Sequence, residues 1–303
     1  MNFLSCHRRA SVVMMSLIIA TSATFGQINH VVVVGVDGLS PDGVQKAETP
    51  NLDRLCQQGA WTFHARGVMP TSSSPNWASM IMGAGPEQHG ITSNDWQPDK
   101  FEISPTVKGP GGFFPTIFSV LRGQKPKSVL GVFHDWDGYG RLVEKELVDI
   151  IEDLDGPTNT VRRAVEFLKN RKPTFTFIHL DHVDHAGHES GHGTPAYYAS
   201  VEVADKLIGE VGAAIAEAGM KQHTLLLITA DHGGTGKGHG GASMVEIEIP
   251  WILVGPGVRS GYEINSPVNT YDTAATIAHV FRLKTPEAWI ARPVREAFVP
   301  DKP

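Results

Sequence analysis

Residues 30–38 read His-Val-Val-Val-Val-Gly-Val-Asp-Gly, a run rich in β-branched residues that stops at an aspartate. Such a run is typical of a strand in a parallel sheet, which is buried on both faces because helices cover it. Similar runs follow at 128–133, 174–180, 224–229 and 249–254, and helical periodicity lies between the runs at 50–58, 76–82, 158–170, 195–218 and 272–281. The alternation predicts an α/β fold with a doubly wound, mostly parallel central sheet flanked by helices.

Polar residues stand at the ends of the first four predicted strands. They are Asp37, His134, Asp181 and Asp231. In a doubly wound sheet, ligands bind beyond the carboxyl ends of the strands, so these positions are expected to share one edge of the sheet. The sequence therefore predicts that the functional site lies at this edge.

Six carboxylate and imidazole side chains near these strand ends are candidate metal ligands: Asp37, Asp184, His188, Asp231, His232 and His239. Asp184 and His188 are four residues apart, which places both on one turn of helix or loop. Carboxylate and imidazole ligands without thiolate suit zinc first, and manganese or iron next. Two divalent ions are the expected cofactors. Three further histidines of this region are expected to support the ligands or to be exposed: His182, His185 and His192.

A serine-rich segment at 69–83 contains the candidate nucleophile. Pro70 and Pro75 favour an extended chain, and a helix is expected to begin at Asn76, where its free N–H groups can bind an anion. A serine hydroxyl coordinated to a metal ion in such a place is an activated nucleophile for phosphoryl or sulfuryl transfer. Taken alone, the segment is equally consistent with a serine-rich helix cap.

The first residues have the pattern of a secretory signal: a basic start, an apolar run at 12–20, and then small residues. We expect a signal peptide at 1–26, with cleavage near Ala23–Gly26, and a secreted or periplasmic protein. The apolar run is too short for a stable membrane span, and an uncleaved anchor is the alternative. Cleavage would remove Cys6 and leave Cys56 without an intramolecular partner.

The composition limits the class of protein. With 41% hydrophobic and 19% charged residues, the 303-residue chain is typical of a soluble globular protein. A net charge of −6 argues against nucleic-acid binding, which depends on a surplus of Lys and Arg. No repeat or linker interrupts the pattern, so residues 27–303 are expected to form a single catalytic domain, with the oligomeric state left open.

A series of short motifs follows the candidate ligands along nearly the whole predicted mature chain. They are Asp37-Gly38, Pro70-Thr-Ser-Ser-Ser-Pro-Asn76, Gly85-Pro-Glu-Gln-His-Gly-Ile91, Asp184-His-Ala-Gly-His188, Ala230-Asp-His-Gly233, and His239 ahead of Ile249-Pro250 and Gly255-Pro-Gly257. In this order the motifs resemble those of the alkaline phosphatase superfamily, and most of all those of the type I phosphodiesterases and nucleotide pyrophosphatases. The resemblance implies an alkaline phosphatase-like fold.

The resemblance also implies the identity of the nucleophile. In that family it is a Thr or Ser two residues before a Pro-Asn pair, which corresponds to Ser73 here, with Ser72 and Ser74 as alternatives. Asn76 then matches the side chain that contacts a non-bridging phosphate oxygen.

The same resemblance implies two metal sites and a pocket. One ion is held by Asp37, Asp231 and His232 together with Ser73, and the other by Asp184, His188 and His239. Asn94 and Trp136 are candidates to line the substrate pocket.

The implied activity is that of a two-metal phosphoester hydrolase that acts through a phosphoserine on a small phosphorylated substrate. We expect phosphodiesters or pyrophosphates, because a monoester carries extra negative charge and no cation lies closer to Ser73 in sequence than Arg66. A phosphomonoesterase of the alkaline phosphatase type is the alternative. A sulfatase is less favoured, since Trp77 stands where that family has arginine, and an inactive binding protein is less favoured because the ligand set is complete.

Overall fold

The computed structural model describes residues 28–100 and 102–300. The predicted signal peptide, its cleavage site and Cys6 lie outside these residues. In the described part of the chain, no helix combines the length and apolar character needed to cross a membrane.

Eight strands of the described residues form one sheet. They are β1 (His30–Val36), β2 (Ala60–Arg66), β3 (Leu130–His134), β4 (Ile150–Asp153), β5 (Phe175–Leu180), β6 (Thr224–Thr229), β7 (Glu248–Val254) and β8 (Tyr262–Glu263). The order across the sheet is β4-β3-β5-β1-β6-β7-β2-β8. From β4 to β6 all neighbours are parallel, whereas β7 runs antiparallel to both β6 and β2. The prediction of a mostly parallel sheet is confirmed.

Helices connect and cover these strands. They are α1 (Pro41–Lys46), α2 (Pro50–Gln58), α3 (Ser73–Met82), α4 (Pro86–His89), α5 (Ile117–Gln124), α6 (Asp137–Gly140), α7 (Pro157–Arg171), α8 (His182–Ser190), α9 (Pro195–Glu217), α10 (Met244–Ile247) and α11 (Asp272–Val280). One group packs around α9 and another around α11. Six of the seven residues of β1 are fully buried, as the opening apolar run predicts.

Some boundaries differ from the predicted ones for physical reasons. Strand β2 was not predicted, because its register against β7 breaks between Thr62 and Ala65 and interrupts the alternation of buried and exposed positions. Helix α3 begins at Ser73 rather than at the predicted Asn76. Pro75 is accommodated in its first turn, since the N–H groups of a first turn have no acceptor within the helix.

Candidate active site

The sheet brings the predicted ligand segments to one edge. Asp37 follows β1, Asp231 and His232 follow β6, and α8 begins two residues after β5 ends. Because β1 lies between β5 and β6 with both neighbours parallel, the three carboxyl ends are adjacent. Side chains that are distant in sequence therefore meet there.

A first cluster, which we call the serine cluster, consists of Asp37, Ser73, Asp231 and His232. His232 Nε2 lies 3.2 Å from Ser73 Oγ, 3.2 Å from Asp231 Oδ2 and 3.4 Å from Asp37 Oδ1. All four side chains are buried. Ser73 is the first residue of α3, so its hydroxyl lies at the positive end of the helix dipole.

A second cluster, which we call the α8 cluster, consists of Asp184, His188 and His239. Asp184 Oδ2 lies 3.0 Å from His188 Nε2 and 3.7 Å from His239 Nε2. Asp184 and His188 are one turn apart on α8, as their spacing predicts. Ligand atoms of Asp184, Asp37 and His232 also lie within 4.8 Å of one another, so the two clusters adjoin at Asp184.

The three imidazoles turn the same nitrogen towards the clusters. The Nδ1 atoms of His188, His232 and His239 lie 2.9, 2.8 and 2.9 Å from the carbonyl oxygens of Lys237, Gly233 and Thr71, respectively. Because a carbonyl only accepts, each Nδ1 carries the proton and each Nε2 keeps a lone pair. With this tautomer in neutral rings, the Nε2 lone pairs of His188 and His239 face each other at 3.2 Å. A cation between them would stabilise this arrangement.

Three buried carboxylate oxygens support the same conclusion. Asp37 Oδ1, Asp184 Oδ1 and Asp231 Oδ2 have no hydrogen-bond partner among the described residues. Burying an unpaired carboxylate oxygen is costly, and coordination of a cation by Asp37 Oδ1 and Asp231 Oδ2 would remove that cost at these two positions. Oxygen and imidazole donors without sulfur fit zinc, manganese or iron.

Burial and mutual repulsion set the titration of these side chains. Burial, followed by the charges of Asp37 and Asp181, raises the pKa of Asp184 to about 9. Burial and the charges of Asp37 and Asp184 raise the pKa of Asp231 well above its ordinary value. Burial also lowers the pKa of His232 to about 3, so its imidazole is neutral. Carboxylates that repel one another and a neutral imidazole are favourable surroundings for a bound cation.

Two side chains that the sequence did not single out as part of the site donate hydrogen bonds to Asp37. Its Oδ2 accepts hydrogen bonds from Trp77 Nε1 at 3.0 Å and from His179 Nε2 at 3.2 Å. His179 Nδ1 lies 3.6 Å from Asp135 Oδ1 on its other side. Burial alone would raise the pKa of Asp37, but the hydrogen bond and the positive charge of His179 outweigh burial and lower the pKa to about 2. The available signal was a histidine inside the fully buried strand β5.

The side chain of Asn76 is used by the loop that precedes it. Asn76 is fully buried, and its Nδ2 lies within 3.3 Å of the carbonyl oxygens of Val68, Pro70 and Ser72. Its Oδ1 accepts the N–H of Val68 at 2.6 Å. The Asn76 amide is thus committed to this loop, and its contact with a phosphate oxygen stays a prediction that the geometry does not favour.

The side chain of Asn94 contacts Ser74, the residue that follows the candidate nucleophile. Its Oδ1 accepts the N–H of Ser74 at 2.8 Å, and its Nδ2 has no protein partner among the described residues. Among residues 72–74, Ser73 has the hydroxyl that contacts a candidate ligand. Trp136 is half-buried and stacks on His179, with ring centroids 6.0 Å apart.

Comparison with known proteins gives a consistent result. The model of the type I phosphodiesterase / nucleotide pyrophosphatase family matches residues 31–237. Mouse ectonucleotide pyrophosphatase/phosphodiesterase family member 1 is 26% identical over 196 residues, which are 61% of this chain and 21% of that protein. The match thus spans about a fifth of that relative's length.

Solved structures show the same fold. Murine ectonucleotide pyrophosphatase/phosphodiesterase 5, an inactive form in complex with AMP, superposes with a TM-score of 0.73 at 15% identity, covering 89% of this chain and 100% of that one. A mutant of the alkaline phosphatase PafA gives a TM-score of 0.73 at 12% identity, covering 90% and 99%. The fold is alkaline phosphatase-like, as predicted. Since the family model matches more than half of the chain, the protein belongs to the type I phosphodiesterase / nucleotide pyrophosphatase family.

Proposed function

We propose that this protein is a two-metal phosphoester hydrolase with Ser73 as its nucleophile. The observation that carries the proposal is the meeting of Ser73 Oγ with Asp37, Asp231 and His232 around one imidazole nitrogen. Family membership supports the reaction class.

The two clusters would hold the ions. Asp37, Asp231 and His232 with Ser73 would bind one, and Asp184, His188 and His239 the other, with Asp184 lying between them. Bound divalent ions supply positive charge that lowers the pKa of a coordinated oxygen and stabilises charge on the phosphoryl oxygens. Zinc is the ion that we expect first, with manganese and iron as alternatives.

The residues of the chain provide the nucleophile and orient the phosphoryl group. Ser73 Oγ gives up its proton to solvent and forms the bond to phosphorus as the bond to the ester oxygen breaks. The departing oxygen takes a proton from water, and a second water then cleaves the serine phosphoester and restores the hydroxyl. In the first turn of α3 the N–H of Ser73 has no acceptor among the described residues, whereas Ser74 donates to Asn94 Oδ1. Pro75 has no N–H, and Asn94 has an unused Nδ2 beside Ser74. The N–H of Ser73 and the Nδ2 of Asn94 are suited to donate hydrogen bonds to the non-bridging oxygens. Asn94 thus takes the role first expected of Asn76.

A phosphodiester or pyrophosphate is the substrate class that we propose. One cation, Arg141, contacts the loop of Asn94: its guanidinium donates to the carbonyl oxygen of Asn94 at 3.4 Å and to that of Trp96 at 3.3 Å. Because Arg141 binds these carbonyls, it holds the loop, which leaves it less available for the additional charge of a monoester. A phosphomonoesterase is the second candidate, and Trp136 beside His179 is proposed to form part of the pocket.

Two other activities have less support. Trp77 occupies the position of the sulfatase arginine, and its indole is fully buried and donates to Asp37. An inactive binding protein would not need the complete ligand set. The pattern at 1–26 supports secretion or periplasmic export of a single catalytic domain at 27–303.

A paired assay tests the proposal. Purified protein is given bis-p-nitrophenyl phosphate or p-nitrophenyl phosphate, with zinc present and then with a chelator. We expect zinc-dependent hydrolysis that is faster on the diester. Faster hydrolysis of the monoester would establish the second candidate, and metal-independent hydrolysis would contradict the proposed mechanism.

A further inference from the structure

His192 lies against Asp184 but belongs to neither cluster. Its side chain is 3% exposed, and neither ring nitrogen has a hydrogen-bond partner among the described residues. Its Nε2 lies 3.6 Å from Asp184 Oδ1, which is itself buried without a partner. A nitrogen able to donate and an oxygen able to accept therefore face each other across a gap slightly too long for a hydrogen bond.

The backbone directs His192 back towards α8. Helix α8 ends at Ser190, and the next residues include Gly191 with φ of 101° and Gly193 with φ of 76°. Residues other than glycine rarely adopt such φ angles, so the two glycines allow the chain to reverse its direction. The N–H of His192 donates to the carbonyl oxygen of Gly236 at 2.7 Å, which anchors the segment.

The imidazole ring of His192 is clamped. A Cβ added to Gly187 would lie 2.4 Å from the ring, and one added to Gly234 would lie 2.3 Å from it. The ring of Tyr197 packs nearby, with centroids 5.2 Å apart. The ring is thus fixed by packing on several sides, without help from a hydrogen bond of its own.

We propose that His192 is a positioning residue for Asp184: its Nε2–H donates to Asp184 Oδ1 and so presents Oδ2 to the α8 cluster. Asp184 Oδ2 already lies 3.0 Å from His188 Nε2, so the carboxylate has one oxygen on each side. The inference rests on the proposed function, since it assigns His192 to one of the two metal sites. Loss of such a partner of a ligand typically weakens metal binding about 10–100-fold.

Three substitutions in the full chain separate this role from simple packing. His192→Phe keeps an aromatic ring against Gly187 and Gly234 but lacks a ring N–H to donate. His192→Gln keeps a side-chain N–H. His185→Phe is the matched control, because His185 follows Asp184 directly on α8, is 64% exposed and lies 3.3 Å from Glu189. Zinc is titrated into metal-free protein against a chelating indicator, and the thermal midpoint of each metal-free variant is measured.

We expect His192→Phe to weaken one of two zinc sites about 10–100-fold, His192→Gln to restore most of that loss, and His185→Phe to match the wild type. Equal binding by the wild type and His192→Phe, or equal weakening in the Phe and Gln variants, would overturn the role of His192. Failure of the wild type to bind two ions would instead refute the proposed function. If His192→Phe does not fold, the tautomer of His192 in the zinc-loaded wild type, read by nitrogen-15 NMR, decides: Nε2–H is expected, and a bare Nε2 would overturn the proposal.

Discussion

Individual side chains at this site divide into those that face the proposed substrate and those that hold the site together. Ser73 and Asn94 belong to the first group, because one hydroxyl and one amide nitrogen remain available there. Asn76 and Trp77 belong to the second, because their polar atoms are used by the loop and by Asp37. The resemblance to the family motif suggested Asn76, whereas only the folded loop shows that its amide is already used by backbone groups.

Replacing Ser73 by alanine should reduce kcat by about 10³-fold or more, because it removes the atom that attacks phosphorus. The two ions should remain bound, since Asp37, Asp231 and His232 are unchanged. Turnover and metal content are measured together, with Ser72→Ala and Ser74→Ala as controls that should retain activity. Retained turnover in Ser73→Ala would move the nucleophile to another group.

The two asparagines should respond in opposite ways. Asn94→Ala should lower kcat by about 10²–10³-fold, by analogy with the loss of other transition-state donors, with a smaller loss of stability than Asn76→Ala because only the hydrogen bond to the N–H of Ser74 is removed. Asn76→Ala should instead lower the free energy of unfolding by about 1–3 kcal/mol, because buried groups of the preceding loop lose their partner. Urea denaturation and kinetics of both variants check this contrast. Equal effects on activity would contradict the reassignment.

At the scale of helices and strands, the predicted elements that were long and periodic are confirmed, and the missed ones are short or irregular. Helix α2 matches its predicted limits, and β1 was recognised from its apolar run alone. Strands β4 and β8 are four and two residues long at the sheet edges, where little apolar pattern is required. The strand ends predicted the candidate ligands. The contact between Trp77 of α3 and Gly35 of β1 could not be inferred, because it depends on how the helix packs on the sheet and leaves no pattern in the sequence.

That contact gives a test of how α3 supports the site. A Cβ added to Gly35 of β1 would lie 2.6 Å from the ring of Trp77, so Gly35→Ala should lower the free energy of unfolding by about 1–3 kcal/mol through overpacking. It should also weaken zinc binding, because Trp77 holds Asp37. Gly212→Ala is the control, since nothing lies within 4 Å of its added Cβ. In helix α9 that change should be neutral or stabilise by up to about 1 kcal/mol. Wild-type stability of Gly35→Ala would contradict this packing.

At the scale of the whole molecule, the fold collects acidic side chains and imidazoles at one end of a single sheet. Free ions that bind only the folded chain raise its stability by about 2.7 kcal/mol per site at a concentration of 100 Kd. A chelator should therefore lower the thermal midpoint as well as remove activity.

Acid should destabilise the protein through a histidine outside the metal clusters. His89 is fully buried, and burial lowers its pKa to about 3 while it hydrogen-bonds Ser79. The unfolded chain binds a proton near the ordinary pKa of 6.5, so this contribution is complete above that pH and is lost progressively as the pH falls towards 3. At pH 5 the loss should be about 2 kcal/mol. His89→Gln should remove that part of the slope in urea denaturation at pH 5 and 7, and an unchanged slope would contradict the assignment.

The number of zinc equivalents that restores diester hydrolysis to metal-free protein shows whether this chain is a two-metal hydrolase. Zinc is added in known amounts, and bound metal is measured by elemental analysis beside the rate on bis-p-nitrophenyl phosphate. Two clusters that adjoin at Asp184 predict two bound equivalents per chain, with full activity reached only at the second. Full activity at one equivalent, or two bound ions without any phosphoester hydrolysis, would contradict a two-metal hydrolase.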